Sequence, residues 1–246
     1  MQKFFVNSDN ILSKQFNNEI SFQISTVLRF KGGEKVLVSD QNDEYLVKII
    51  EVDKNKTTFE IIEKLENNNE LPVKVDIFQG YPKGDKMEDI IKHSTELGVS
   101  SINPVFMKRS VVKLDDKKID TKIERFSKIA KEAAEQSFRT IIPSVNIYKS
   151  LKSIDFNKYD IKIVCYEESA KNGELTAFKT AISKLNNGEN VAVVIGPEGG
   201  IDETEIDYLT QNGFICCSLG KRILRTETAP LFILSSIAYQ LELKSN

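Results

Sequence analysis

The fold class predicted is a small β-rich domain followed by an α/β domain built on a parallel sheet, and three observations predict it. Up to about Lys64 the chain carries short apolar runs separated by turn residues. From Val73 onward, strand patterns alternate with helical periodicity. Near the C-terminus, two apolar strands each run into a glycine loop and then a helix start. Several short strands at near-regular spacing imply a small barrel, and alternating strands and helices imply a parallel sheet covered on both faces.

In the first part, Ser25 to Phe30, Lys35 to Val38, Glu44 to Glu51 and Thr57 to Glu63 read as strands. Turn signals at Gly32-Gly33, Gln41-Asn42-Asp43 and Asp53-Lys54-Asn55 separate them. The polar stretch Glu66 to Pro72 has no periodicity and reads as a linker. The expected domains are therefore 1–70 and 73–246.

In the second part, Val73, Val75 and Ile77 alternate into Gly80, and Lys86 to Leu97 is a helix closed by Gly98. Ser101 to Phe106 is the next strand, followed by a long helix from about Asp120 to Phe138. Strands near Ser144 to Tyr148 and Asp160 to Tyr166 follow, then a helix from Glu174 to Leu185.

Val191 to Ile195 then leads into Gly196-Pro197-Glu198-Gly199-Gly200. The helix after it has Asp202 as cap and Glu205 placed to reach back, with Gly213 at its end. Phe214 to Leu219 leads into Gly220, a polar loop from Lys221 to Thr228, and a last helix from Pro230 to Leu243. That helix is apolar on several sides and predicts burial against its own sheet or a second copy of the chain.

Glycine lets a backbone approach a ligand closely and turn N–H groups toward it, and open α/β sheets bind ligands beyond the carboxyl ends of their strands. Two such loops in tandem point to a ligand site, with ordinary strand-to-helix turns as the alternative. Neither loop is G-x-G-x-x-G or G-x-x-x-x-G-K-[ST], so the ligand is not expected to be held by its phosphates.

Composition excludes several function classes. Of 246 residues, 28% are charged and the formal net charge is −2, as in an ordinary soluble protein. No apolar run reaches the ~20 residues of a membrane span, and the N-terminal apolar stretch is too short for a signal peptide, so a cytoplasmic location is expected. Three cysteines make no disulfide framework, and the single histidine, His93, argues against a metal site. Between Met107 and Arg139 lysines and arginines outnumber acids, which gives either an RNA-facing surface or a solvated helix face.

The helix from Asp120 to Phe138 carries two stripes. Phe126, Ile129, Ala130, Ala133 and Ser137 are expected to face the core, while Glu132, Glu135, Gln136 and Arg139 form a polar stripe. The stripe is either a surface ion pair worth about 0.3–0.5 kcal/mol or a set of groups that bonds a base edge.

Gly196 to Gly200, together with Leu219-Gly220-Lys221-Arg222-Ile223-Leu224-Arg225-Thr226-Glu227-Thr228-Ala229, resembles the RsmE family, the bacterial 16S ribosomal RNA uracil-N3 methyltransferases of the SPOUT superfamily. Thr95 to Val99, Arg109 to Val112, Glu132 to Ser137 with Arg139, and Val27 to Arg29 with Gly33 extend the resemblance over nearly the whole chain. The chain departs from the family pattern at His93, where a lysine is usual, and around Phe22 and Gln23, where a histidine is usual.

The resemblance implies an N-terminal PUA-like β-barrel and a SPOUT-type trefoil-knotted parallel-sheet methyltransferase domain. It further implies a homodimer that binds S-adenosyl-L-methionine and methylates N3 of a specific uridine in 16S ribosomal RNA of the small subunit. The cofactor residues it implies are Tyr166, Glu167, Ile195, Gly196, Pro197, Glu198, Gly199, Gly200, Leu219, Gly220, Ile223, Leu224, Arg225, Thr226 and Thr228. Removing the N3 proton of uridine leaves negative charge on the flanking carbonyls, which an arginine would stabilise. Arg139 is the first choice for that role, with Glu135 or Gln136 orienting the base and Arg109 or Arg225 as second choices. Arg29, Lys31, Lys108, Arg109 and Lys113 are expected to bind RNA. Two alternatives stay open: a knotted enzyme acting on a ribose 2′-hydroxyl, and a non-enzymatic RNA-binding protein of the same fold.

Overall fold

The computed structural model describes residues 1–66, 69–112, 115–168 and 176–243. Lys113, the central asparagines of the expected linker and the expected helix start at Glu174 lie outside them. The chain divides into two compact units, Met1–Glu70 with Ala134–Ile142, and Leu71–Ala133 with Pro143–Asn246.

The first unit holds a four-stranded sheet of order β1-β2-β3-β4. β1 (Lys3–Phe5) runs parallel to β2 (Lys35–Ser39), and β3 (Glu44–Glu51) and β4 (Thr58–Leu65) continue the sheet antiparallel. Successive side chains on a strand point to opposite faces, so Val36 and Val38 of β2 and Val47 and Ile49 of β3 share the buried face. Phe4, Phe16, Ile20, Ile24 and Phe59 complete this core.

The strand expected over Ser25 to Phe30 is not formed. Two helices, α1 (Ser8–Ser13) and α2 (Asn18–Phe22), precede it, and α2 continues into a π-helical turn over Gln23–Val27. Asn17 caps α2 by accepting from the Ile20 N–H at 2.9 Å. Ile20 and Ile24, four residues apart, are both buried, and Leu28 packs against the same core, which is helical spacing.

Residues 134–142 belong to this unit because its polar groups hold them. The Ser39 hydroxyl donates to the Thr140 carbonyl at 2.8 Å, and Lys3 donates to the Phe138 carbonyl at 3.2 Å. Lys3 also forms a fully buried ion pair with Glu44. Glu70 accepts from the backbone N–H groups of Thr140 at 2.9 Å and Ile141 at 3.1 Å.

The second unit is built on a six-stranded, wholly parallel sheet of order β10-β8-β9-β5-β6-β7. Its strands are β5 (Lys74–Gly80), β6 (Ser101–Val105), β7 (Ser144–Val145), β8 (Ile161–Cys165), β9 (Asn190–Ile195) and β10 (Ile215–Cys217). Helices α3 (Lys86–Glu96), α5 (Ala177–Ser183), α6 (Glu203–Gln211) and α7 (Ala229–Ala238) accompany them. The helix α4 (Ile119–Gln136) begins in this unit, and its last turn, from Ala134, is counted with the first.

Strand register sets where the site lies. Gln79 of β5 pairs with Ile195 of β9, Ile195 with Cys165 of β8, and Cys165 with Cys217 of β10. Four carboxyl ends thus form one row, and the loops that leave them start side by side. Beneath that row β9 is buried along Val191 to Ile195, as a strand covered on both faces must be. The C-terminal α7 packs on α3 and buries Ile233, Leu234 and Ile237. Among the described residues no helix is long and apolar enough to cross a membrane, and no group of three or more His, Cys, Asp or Glu could hold a metal ion.

Candidate active site at the carboxyl ends of the strands

A cleft of about 1230 Å³ opens in the second unit beyond the row of strand ends. Three loops make it: Tyr166 to Glu168 after β8, Gly196 to Gly200 after β9, and Ser218 to Thr226 after β10. Of the cofactor residues expected from the sequence, Tyr166, Glu167, Ile195 to Gly200, Leu219, Gly220 and Ile223 to Thr226 all line it. Thr228 does not line it and stands instead at the N-cap of α7.

Glycine is required in these loops for different reasons. Gly200 and Gly220 hold φ of 71° and 107°, a region that other residues rarely adopt. A Cβ at Gly199 would lie 3.2 Å from the Cβ and carbonyl oxygen of Arg109. At the end of β5, a Cβ on Gly80 would meet the nitrogen and Cδ of Pro197 at 2.4 Å, so this strand end and the glycine loop touch backbone to backbone.

The helix after the glycine loop starts as the sequence predicts. Asp202 accepts from the Thr204 N–H at 3.2 Å, and Glu205 accepts from the Asp202 N–H at 3.3 Å, completing a capping box. The loop after β6 is latched to this helix start. The Lys108 N–H donates to Glu205 at 3.0 Å, and its ammonium reaches Asp202 at 3.2 Å and the Thr204 hydroxyl. Those bonds carry Arg109 to the cleft, where Nη1 donates to the Gly199 carbonyl at 3.3 Å.

Two polar ties join the loop after β9 to the loop after β10. The first, at the rim, is Lys86 at the start of α3, whose ammonium lies 3.1 Å from Glu198 and 3.2 Å from Glu227. Partial burial works against ionising Glu198. Its own backbone N–H, the Lys86 ammonium and the Lys83 N–H outweigh that and hold its pKa below the usual carboxylate range. The second tie is inside: Thr226 donates to the Gly196 carbonyl at 2.7 Å.

The cleft combines backbone approach at glycines, apolar side chains at Ile195, Leu219, Ile223 and Leu224, and charges of both signs. The carboxylates of Glu167, Glu168 and Glu203 line it together with the cations of Arg109, Lys221, Arg222 and Arg225. Burial, and then Glu168 and Glu203, push the Tyr166 phenol pKa up, so it stays protonated as a hydrogen-bond donor. Such a lining suits a zwitterionic ligand with a flat apolar ring.

Lys86, Glu203 and Ser218 are lining residues that sequence reasoning did not single out. Glu135, Gln136 and Arg139 are not among the lining residues. They lie in the first unit, where the 3% exposed Arg139 directs Nε to Glu70 at 3.1 Å and pairs with the same carboxylate through Nη2. Glu135 accepts from the Phe5 N–H at 3.3 Å and is buried, while Gln136 is exposed. Arg29 and Lys31 are exposed in the first unit.

A parallel sheet with a glycine-lined cleft at its carboxyl ends places the second unit among RNA methyltransferase domains: the family described as "RNA methyltransferase domain" matches residues 69–238. The chain belongs, more narrowly, to the ribosomal RNA small subunit methyltransferase E family. The Bacillus subtilis (strain 168) protein of that name is 42% identical over 254 residues, covering 99% of this chain and 98% of its own. A Legionella pneumophila methyltransferase, solved in complex with the cofactor SAM, is 31% identical. It superposes with a TM-score of 0.79 over 91% of this chain and 90% of its own. The Neisseria gonorrhoeae ribosomal RNA small subunit methyltransferase E, solved bound to S-adenosyl methionine, is 26% identical with a TM-score of 0.82 over 97% of each chain.

Proposed function

We propose that this chain is an S-adenosyl-L-methionine-dependent methyltransferase that methylates N3 of a specific uridine in 16S ribosomal RNA of the small subunit. The observation that carries the reading is the convergence of the loops after β8, β9 and β10 on one glycine-lined cleft. The cleft fits the cofactor: apolar Ile195, Leu219, Ile223 and Leu224 suit the adenine, the carboxylates of Glu167 and Glu168 suit hydroxyl or ammonium groups, and Arg225 suits a carboxylate.

When bound, S-adenosyl-L-methionine supplies a methyl group on a sulfonium, a good leaving group. The residues of this chain place the attacking atom in line with that methyl and exclude water. Loss of the N3 proton to solvent would leave negative charge shared with the flanking carbonyl oxygens, and a cation there would stabilise that anion until N3 takes the methyl. Arg109 carries that role in this proposal, since it lines the cleft while its neighbour Lys108 is spent on the cap of α6. Arg225 lines the cleft too and is the second choice. Arg139 and Glu135, with their partners in the first unit, are proposed to hold the structure of that unit.

The same reading includes a PUA-like barrel in the first unit, a trefoil knot in the second, a homodimer and a cytoplasmic location. The strand order β10-β8-β9, in which the chain leaves β9 and passes β8 to reach β10, supports the knot. Exposed Phe232, Tyr239 and Leu243 on and after α7 support an interface between copies. Arg29 and Lys31 on the first unit, with Lys113, are proposed to meet RNA phosphates.

Calorimetric titration of S-adenosyl-L-methionine, paired with Gly199→Val, tests the cofactor reading. Binding is expected in the parent protein and lost in the variant. Mass-spectrometric mapping of ribosomal RNA is expected to show N3-methyluridine, and a 2′-O-methyl mark in its place would overturn the choice of atom.

A further inference from the structure

We propose that Gln79 is a positioning residue for the cofactor cleft, clamping its two glycine-bearing loops from beneath; the inference rests on the S-adenosyl-L-methionine reading above. Gln79 is the penultimate residue of β5, 0% exposed and paired in register with Ile195 of β9 on one side and Pro104 of β6 on the other. It does not line the cleft. Its Nε2 donates one proton to the Thr226 hydroxyl at 2.7 Å and shares the other between the carbonyls of Gly80 at 3.2 Å and Gly196 at 3.4 Å. Thr226 in turn donates its own hydroxyl proton to the Gly196 carbonyl at 2.7 Å. One side-chain amide thus fixes both the rotor of Thr226 and the start of the Gly196 loop.

The orientation of the amide follows from proton counting. Turned over, Gln79 would present Oε1 to Thr226, whose single proton would then have to leave the Gly196 carbonyl. The observed orientation serves both loops, but it leaves Gln79 Oε1 buried with no hydrogen-bond partner. An unpaired buried acceptor is unfavourable for folding, and a methionine of similar length would avoid it. A glutamine here is therefore a poor choice for the core and a good one for holding two loops.

Gln79→Met is expected to melt at or above the parent temperature and to bind S-adenosyl-L-methionine on the order of tenfold more weakly, the worth of one buried bond to a neutral partner. Its KM for the cofactor should rise, with kcat at saturating cofactor and KM for RNA little changed. Thr226→Val should show the same loss, Thr226→Ser should not, and the Gln79→Met, Thr226→Val pair should be no worse than either alone. Amide hydrogen exchange without ligand gives a second readout: exchange should rise in residues 196–200 and 219–228 of Gln79→Met and stay unchanged in residues 35–65. Unchanged exchange and affinity in Gln79→Met, or additive losses in the pair, would overturn the clamp. If the parent protein binds no S-adenosyl-L-methionine but exchange still rises in those two loops, the clamp stands and the cofactor reading falls.

Discussion

The ammonium of Lys86 lies 3.1 Å from the carboxylate of Glu198, and the same nitrogen lies 3.2 Å from Glu227. One cation at the start of α3 thereby joins the acid inside the glycine loop to an acid in the loop after β10. Glu198, the only charged residue of Gly196-Pro197-Glu198-Gly199-Gly200, lines the cleft with its carboxylate held by protein partners. Its further partner is the Lys83 N–H at 3.1 Å.

The first prediction concerns pH. Glu198 has a folded pKa held below its ordinary value, so what it contributes is present above the ordinary carboxylate range and is lost as pH falls through the depressed value. The bonds to Glu198 and then Glu227 raise the Lys86 pKa, so its contribution is present below the ordinary lysine value and is lost only as pH rises through the raised one. S-adenosyl-L-methionine affinity should hold across neutral pH and weaken on the acid side. Calorimetry on Glu198→Gln should show weaker binding at neutral pH and a flatter acid limb. Because Lys86 is partly exposed, Lys86→Met should weaken binding with its melting temperature nearly unchanged.

Arg139 carries the second prediction. Its side chain is 4% exposed and that of Glu70 is 15% exposed, and they form a charge pair in the first unit. Removing one partner of a buried pair costs about 3–5 kcal/mol, because the other charge stays behind. Arg139→Ala should therefore lower the melting temperature by many degrees, with turnover falling as folded protein is lost. An Arg139→Ala protein that melts like the parent but has lost turnover would return this arginine to the role in catalysis that the sequence suggests.

These two arginine and lysine sites show where sequence reading stops. The capping box at Asp202 and Glu205 was legible because both partners sit in one helical turn. The three cleft loops were legible because apolar strands running into glycine leave a local pattern. The polar stripe of α4 identified residues that share a face, but periodicity does not tell what a face meets, and Arg139 meets Glu70 from far away in the chain. Lys86 went unnoticed for the same reason. The helix at Asn18 to Val27 was missed because the β-branched residues from Ser25 onward outweighed the spacing of Ile20, Ile24 and Leu28. Gln79 did leave a signal, a polar amide directly after the apolar pair Ile77-Phe78 and before the glycine that ends the strand.

A third prediction separates binding from catalysis at Arg109. Its Nη1 reaches the Gly199 carbonyl, yet nearly half of the side chain is exposed, at 47%, so its head has room to meet a substrate. Loss of one charge-stabilising donor costs about 10²–10³ in kcat. Arg109→Ala should show that loss in single-turnover methylation with cofactor affinity little changed, and Arg109→Lys should recover part of it. Equal loss of affinity and rate would move the role to Arg225.

The last prediction uses two glycines that are glycine for opposite reasons. Gly188 has φ of 88°, and a Cβ added there would meet nothing within 4 Å, so Gly188→Ala carries only the backbone cost of the left-handed region, about 1–2 kcal/mol. At Gly80 the obstacle is space: a Cβ would stand 2.4 Å from both the nitrogen and Cδ of Pro197 and 2.9 Å from the Gly196 carbonyl carbon. Those neighbours are backbone and a ring fused to it, so a methyl can be admitted only by moving the glycine loop off β5. That movement would also pull Gly196 away from Thr226 and Gln79. Gly80→Ala is therefore expected to abolish S-adenosyl-L-methionine binding, whereas Gly188→Ala lowers the melting temperature and binds as the parent does. If Gly80→Ala bound the cofactor normally, the contact between β5 and Pro197 would not be what holds the glycine loop in place.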